Sequence, residues 1–171
     1  QGASLVFQDY EEDTWSGTVT KHDGTTKELT VPVMKDKETG ERVLGDMNRK
    51  ILCVDYADFE YNDTITARKE EDGRFADNEL LIYDTFLRTY DLYVDAGWTG
   101  PDGEGTPVLL EMDMVKADGE VIQNASYSRM KYGFQTFNFN RIDPDGECTD
   151  IIAHEFTHCL TQTLMTYTLY F

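Results

Sequence analysis

The chain has 171 residues, 40% of them hydrophobic, which is enough for the core of one globular domain and excludes a disordered tail. Aspartate and glutamate outnumber lysine and arginine by 33 to 15, and the resulting net charge of −18 argues against nucleic acid as a partner. No apolar run reaches the roughly 18 residues that a membrane-spanning helix needs.

The first third of the chain is predicted to form antiparallel hairpins. Between Gly17 and Tyr56, short β-prone runs are separated by glycine-containing turn signals. The runs are 18–20, 29–33 and 51–54, and the turn signals are Asp23-Gly24 and Thr39-Gly40.

A long amphipathic helix is predicted after the charged stretch 68–74. Large side chains recur there at steps of three and four, and we expect Asp77 to cap the start of the helix and Gly97 to end it. The recurring residues are Leu80, Tyr83, Leu87, Tyr90 and Val94. An aromatic stripe at helical spacing is more often core than ligand surface, so we assign it to packing.

The second half of the chain is predicted to add strands and a final helix. A glycine-rich loop at 97–105 precedes an alternating strand at 108–115, and Asp118-Gly119 marks the next turn. Further strands are predicted at 122–132 and 134–139, followed by a turn at 143–146 and a helix near 149–166. Without a repeat or a linker-like segment, one domain over residues 1–171 is the simplest division.

The final helix carries a metal-binding motif. His154 and His158 are four residues apart, so both imidazoles lie on one helix face and can reach one ion. Glu155 follows the first histidine, where its carboxylate can take a proton from water that zinc has made acidic. Two of the three histidines in the chain belong to this motif, so the sequence predicts a zinc site with Glu155 as the general base.

The segment from Asp150 to His158 resembles the active-site helix of the thermolysin family of neutral zinc metallopeptidases. Three other segments are similar to the family as well, and the similarity runs from about Val43 to the chain end. Val43-Leu44-Gly45-Asp46 resembles an early hairpin, Asn124-Ala125-Ser126-Tyr127 the edge strand that grips substrate, and Met130-Lys131-Tyr132-Gly133 the residues after that strand.

The resemblance implies an α+β, zincin-like N-terminal domain with an antiparallel or mixed sheet, one long amphipathic helix and the His-Glu-x-x-His helix. It implies zinc ligation by His154 and His158, catalysis by Glu155, and calcium binding by Asp150. It also implies extracellular action on peptide or protein substrates, although no signal peptide is visible in this numbering.

Substrate binding is implied for Asn124, Ala125 and Tyr127, with main-chain bonds from Asn124 and Ala125 to an extended peptide. Ser126 departs from the aromatic residue usual in the family, which affects side-chain specificity and leaves backbone binding intact. With a one-residue insertion, Tyr170 matches a tyrosine that stabilises the reaction's oxyanion.

The family takes its third zinc ligand from a glutamate about twenty residues after the second histidine, beyond Phe171. The helical C-terminal domain and its catalytic histidine are also absent from this sequence. We therefore expect the C-terminal half of the same enzyme as a partner, and poor catalysis by the isolated chain.

Two other functions fit the same residues. One is a non-catalytic metal-binding relative, or an inactive fragment of a metallopeptidase, that uses His154 and His158 without turnover. The other is an acidic calcium-binding module with ligands from residues 143–150, namely Asp143, Asp145, Glu147 and Asp150, although this spacing is too short for an EF-hand loop.

The cysteines are odd in number, so at least one is free or pairs outside the chain. Cys148 and Cys159 would lie roughly 16 Å apart along a helix, beyond the reach of a disulfide. Cys53 is the third cysteine.

Overall fold

A computed structural model of the chain describes residues 6–21, 23–97, 107–113, 115–120, 125–131 and 134–139; for 125–131, 135 and 139 it describes the backbone alone. The first strands form the antiparallel hairpins that the turn signals predict. They are β1 (Tyr10–Thr20), β2 (Thr26–Asp36), β3 (Arg42–Asp46) and β4 (Ile51–Asp55). Gly24 and Gly40 adopt positive φ in the first two turns, where glycine carries no steric penalty.

A short helix that the sequence analysis did not predict follows β4 directly. This helix, α1 (Tyr56–Asn62), begins where the Asp55 carboxylate accepts a 2.9 Å hydrogen bond from the Asp58 backbone N–H. It ends at Asp63, whose left-handed backbone stops the helix.

The long helix is confirmed as α2 (Asp77–Asp95). Leu80, Tyr83 and Leu87 are buried and Tyr90 packs partly buried against the core, which confirms that this part of the stripe is core. Val94, the last residue of the predicted stripe, is 42% exposed and lies outside the core. The prediction that Asp77 caps the helix was wrong: Ala76 holds the N-cap position, and no side chain makes a capping bond there. Gly97 follows the helix end with φ of +103°, as predicted.

The later strands are β5 (Val108–Met112), β6 (Ala125–Lys131) and β7 (Phe134–Phe139). The strand order in the described residues is β1-β2-β3-β4-β5-β7-β6, with β5 parallel to both β4 and β7 and the other pairs antiparallel. The predicted alternation was wrong: all five residues of β5 are buried, so the strand is covered on both faces. The α+β class with a mixed sheet is thus observed.

Two apolar clusters cover opposite faces of the sheet. On one face α2 packs over the strands, and the Phe86 and Phe137 rings meet edge to face at 5.0 Å. On the other face α1 contributes Phe59, whose ring lies 6.4 Å from that of Phe134. These contacts place β7 between the two helices.

Cys53 is buried within the first cluster as a free thiol, whereas Cys148 and Cys159 lie outside the described residues. Neither helix in the described part of the chain is long and apolar enough to cross a membrane.

Candidate functional site

Most residues of the predicted zinc site lie outside the described residues. These are Asn124, Asp150, His154, Glu155, His158 and Tyr170, together with the alternative calcium ligands at 143–147. Ala125 and Tyr127 lie in β6, where the backbone is described. The described part of the candidate site is therefore the strand predicted to bind substrate.

Strand β6 lies at one end of the sheet and pairs antiparallel with β7 alone among the described residues. This position agrees with the prediction of an edge strand. Its register is regular from Ala125, opposite Phe139, to Ser128, opposite Thr136, and shifts by one residue before Lys131. The regular part is thus the stretch where an added peptide would find evenly spaced backbone groups.

Strand β7, which lies beside β6, is buried at every residue whose side chain is described. Phe137 is fully buried against α2, and Thr136 and Asn138 are buried on the opposite face. Glu111 of β5 is the register partner of Asn138 and is also fully buried. A strand held on both faces limits the movement of the edge strand beside it.

Strand β1 lies at the other end of the sheet, and Pro32 of β2 shows which of its backbone groups point outward. Thr14 lies opposite Pro32, which has no N–H, so this pair cannot be hydrogen-bonded in the ladder. Pairs alternate, so Thr18 and Thr20 also direct their backbone groups away from β2. Bonds from Lys21 N–H to the Thr25 carbonyl, and from Lys37 N–H to the Asp9 carbonyl, fit this alternation.

Three charged side chains occupy these outward groups of β1. The Arg42 guanidinium donates to the Thr14 carbonyl at 3.2 Å, and the Arg74 guanidinium donates to the Thr18 carbonyl at 3.0 Å. The Thr20 N–H donates to the Asp77 carboxylate at 3.3 Å. The charged residues Arg42, Arg74 and Asp77 are called the edge closure below.

Residues 66–77, which carry two members of the edge closure, connect the middle of the sheet to β1. The Leu44 N–H donates to the Arg68 carbonyl at 3.0 Å, and the Asp55 N–H donates to the Thr66 carbonyl at 2.9 Å. Further along, the Trp15 indole N–H donates to the Gly73 carbonyl at 3.0 Å. The charged stretch 68–74 carries no local signal of this long-range pairing.

Arg68 links residues 66–77 to carboxylates at the start of α2, at the end of β4 and directly after β5. Its guanidinium lies 2.6 Å from the Glu79 carboxylate, 3.2 Å from that of Asp55 and 3.0 Å from that of Asp113. Burial raises the pKa of Glu79, and the nearby Arg68 only partly offsets this effect. Burial outweighs pairing because the Glu79 side chain is only 6% exposed.

A cleft of about 310 Å³ opens beside this ion-pair group, with Arg68, Arg74 and Glu79 among its lining residues. Its cations already have carboxylate partners, since Arg74 lies 3.2 Å from Asp77 and Arg68 is paired as above. The pairing of these arginines suits a structural role in fixing residues 66–77.

The chemistry of the predicted donor set, two imidazoles four residues apart with an adjacent carboxylate, fits zinc. Among the described residues, no group of three or more His, Cys, Asp or Glu side chains is placed to hold a metal ion. No protein-family model matches the chain, and no curated protein matches it either.

Proposed function

We propose that this chain is the zinc-binding part of a metalloendopeptidase that hydrolyses extended peptides. The His154-Glu155-Phe156-Thr157-His158 motif carries the proposal, because it combines two neutral nitrogen ligands with a carboxylate base on one predicted helix. The edge position of β6 supports it, because the predicted substrate strand needs a side open to a peptide.

In this proposal His154 and His158 hold zinc, which when bound polarises the peptide carbonyl and acidifies water. Glu155 accepts the proton of the attacking water and passes it to the leaving amine. Asp150 would hold calcium beside the helix, and Tyr170 would donate a hydrogen bond to the developing oxyanion. The third protein ligand would come from the C-terminal half of the enzyme.

Substrate would lie along the regular part of β6 as an added antiparallel strand. Asn124 and Ala125 would pair with the substrate backbone, and Tyr127 lies two residues beyond Ala125 along the same edge. Main-chain pairing fixes the peptide direction without demanding particular side chains, so the substrate class is an extended peptide segment.

The test is Glu155→Gln in the full-length gene product, with kcat on a peptide substrate and zinc content measured on one preparation. Zinc should stay bound, and kcat should fall by about 10² to 10⁴, the usual value of general-base assistance. Glu120→Gln is the control, because Glu120 is an exposed carboxylate paired with Lys116 at 3.1 Å.

Each other outcome has a defined meaning. Loss of zinc together with activity would make Glu155 structural, and full activity with zinc bound would remove it from the mechanism. Zinc binding by the unsubstituted protein without any hydrolysis would favour the non-catalytic relative.

A further inference from the structure

The edge closure on β1 is built from side chains that remain accessible to solvent. Arg74 and Asp77 are 55% and 36% exposed, and their mutual ion pair spans three residues at 3.2 Å. Exposed pairs of this kind are weak and are screened by salt. Their position on the outward backbone groups of Thr18 and Thr20 therefore matters more than their contribution to stability.

An unprotected β1 would be an effective template for strand addition. It has 11 residues, all paired with β2 on one side, and no further strand lies on its other side among the described residues. Long edge strands of this kind promote association unless charges or bulges block them. Arg42, Arg74 and Asp77 occupy three of the backbone groups that an added strand would need.

We propose that the edge closure prevents a second copy of this chain from pairing its β1 with β1 of the first. The closure would thus reserve strand addition for the opposite end of the sheet. This inference rests on the contacts of β1 alone and holds whether or not the chain is a peptidase.

The sequence of β1 favours a second copy of the chain as the partner strand that the closure keeps away. A two-fold antiparallel pair centred on Trp15 would place Thr14 opposite Ser16 and Glu12 opposite Thr18 of the other copy. The acidic residues at one end of β1, Glu11 to Asp13, would then meet Val19, Thr18 and Gly17, so no two carboxylates face each other. The outward groups of Thr14, Thr18 and Thr20 all belong to the hydrogen-bonded pairs of this register.

The test is the combined variant Arg74→Ala/Asp77→Asn, compared with the unsubstituted chain by sedimentation at matched concentrations. Its dimer association constant should rise by about tenfold or more, the effect expected from freeing two edge groups. Lys116→Ala/Glu120→Gln is the matched control, since it removes an exposed 3.1 Å ion pair with no change in net charge and does not touch β1.

Cross-linking identifies the surface that associates. Thr14→Cys and Ser16→Cys are introduced separately into the double variant, and the two proteins are mixed under mild oxidation. Hydrogen-bonded partners in antiparallel strands have Cα atoms about 5.5 Å apart, within disulfide reach. A bond between positions 14 and 16, found by mass spectrometry in the mixture, supports the proposed register.

Two results would overturn the proposal. One is a double variant that keeps its native circular dichroism and stays as monomeric as the unsubstituted chain. The other is association without the 14-to-16 cross-link, because the copies would then meet through a different surface.

Discussion

The two ends of the sheet differ in how their outward backbone groups are used. At β1, Arg42, Arg74 and Asp77 bond to three of those groups, and residues 66–77 pack alongside the strand. At β6, pairing in the described residues is limited to β7, and the register is regular over Ala125–Ser128. If β6 accepts a peptide as proposed, a blocked β1 confines strand addition to that end of the sheet.

The two edges of the sheet also depend on different parts of the core. The β6 edge rests on β7 and thus on the contact between Phe86 and Phe137. The β1 edge rests on Trp15, which bonds to Gly73 and packs edge to face on Phe75. Substitutions in one part should therefore disturb one edge more than the other.

The largest effect is expected from Phe137→Ala, which removes the fully buried ring between β7 and α2. The free energy of unfolding should fall by about 3–5 kcal/mol, the usual cost of emptying a phenylalanine site. Chemical denaturation measures this loss. Leu92→Ala, at a side chain that is 70% exposed on α2, is the control and should change little. A loss below that of ordinary surface substitutions would show that β7 is not held by this contact.

The sequence predicted the elements better than their pairing. Turn residues and periodicity are local signals, so the hairpins, α2 and the bounds of β7 could be read directly. The parallel pairing of β5, and the path of residues 66–77 across the sheet, depend on contacts between residues far apart in the chain. Asp77 shows the same limit: it has the chemistry of a cap, yet its carboxylate bonds to Thr20 of β1.

The candidate site likewise has parts that local sequence signals predict and parts that depend on distant contacts. The motif at His154 to His158 can be recognised because its chemistry depends on spacing within one helix. The edge position of β6 was expected only through the family resemblance. The edge closure could not be anticipated, because Arg42 and Arg74 lie 28 and 56 residues from their carbonyl partners and such distant pairs leave no local pattern.

The next largest effect is expected from proline substitutions at adjacent positions of β6. They test which backbone groups of this strand face outward. Ala125 is predicted to direct its N–H towards substrate, so Ser126 should direct its N–H towards β7. Ser126→Pro should then cost about 1–3 kcal/mol, because a ladder bond is lost and its acceptor is left unpaired. Ala125→Pro should keep the stability and raise KM several-fold. The reverse pattern would show that the substrate strand is registered one residue away.

A smaller effect is expected from Gly17→Ala at the β1 edge. An added Cβ would lie 2.5 Å from the Trp15 ring, which is 3% exposed and has little room to move. Overpacking of this kind typically costs about 1–3 kcal/mol. Urea denaturation should show the loss, and Ser16→Ala, at an exposed neighbour, serves as the control. Unchanged stability would mean that Trp15 shifts freely and does not fix residues 66–77.

The smallest effect is a pH dependence at Glu79, the buried partner of Arg68. Its pKa in the folded chain is raised above the ordinary glutamate value of 4.5, mainly by burial. The folded state therefore binds this proton more readily than the unfolded state. The stability linked to it is fully present below the unfolded pKa and is lost as pH rises through the folded pKa.

Glu79→Gln should remove this dependence while Arg68 keeps its contacts with Asp55 and Asp113. We expect the Tm of the unsubstituted chain, relative to that of the variant, to fall as pH is raised from about 4.5, the ordinary pKa of a glutamate carboxyl, towards neutrality. Thermal unfolding over that pH range at constant ionic strength measures the difference between the two proteins and cancels the titration of the other carboxylates. A relative Tm that instead rises with pH would show that pairing with Arg68 outweighs the burial of Glu79. In that case the ion pair itself would hold residues 66–77, and with them the edge closure, against the sheet.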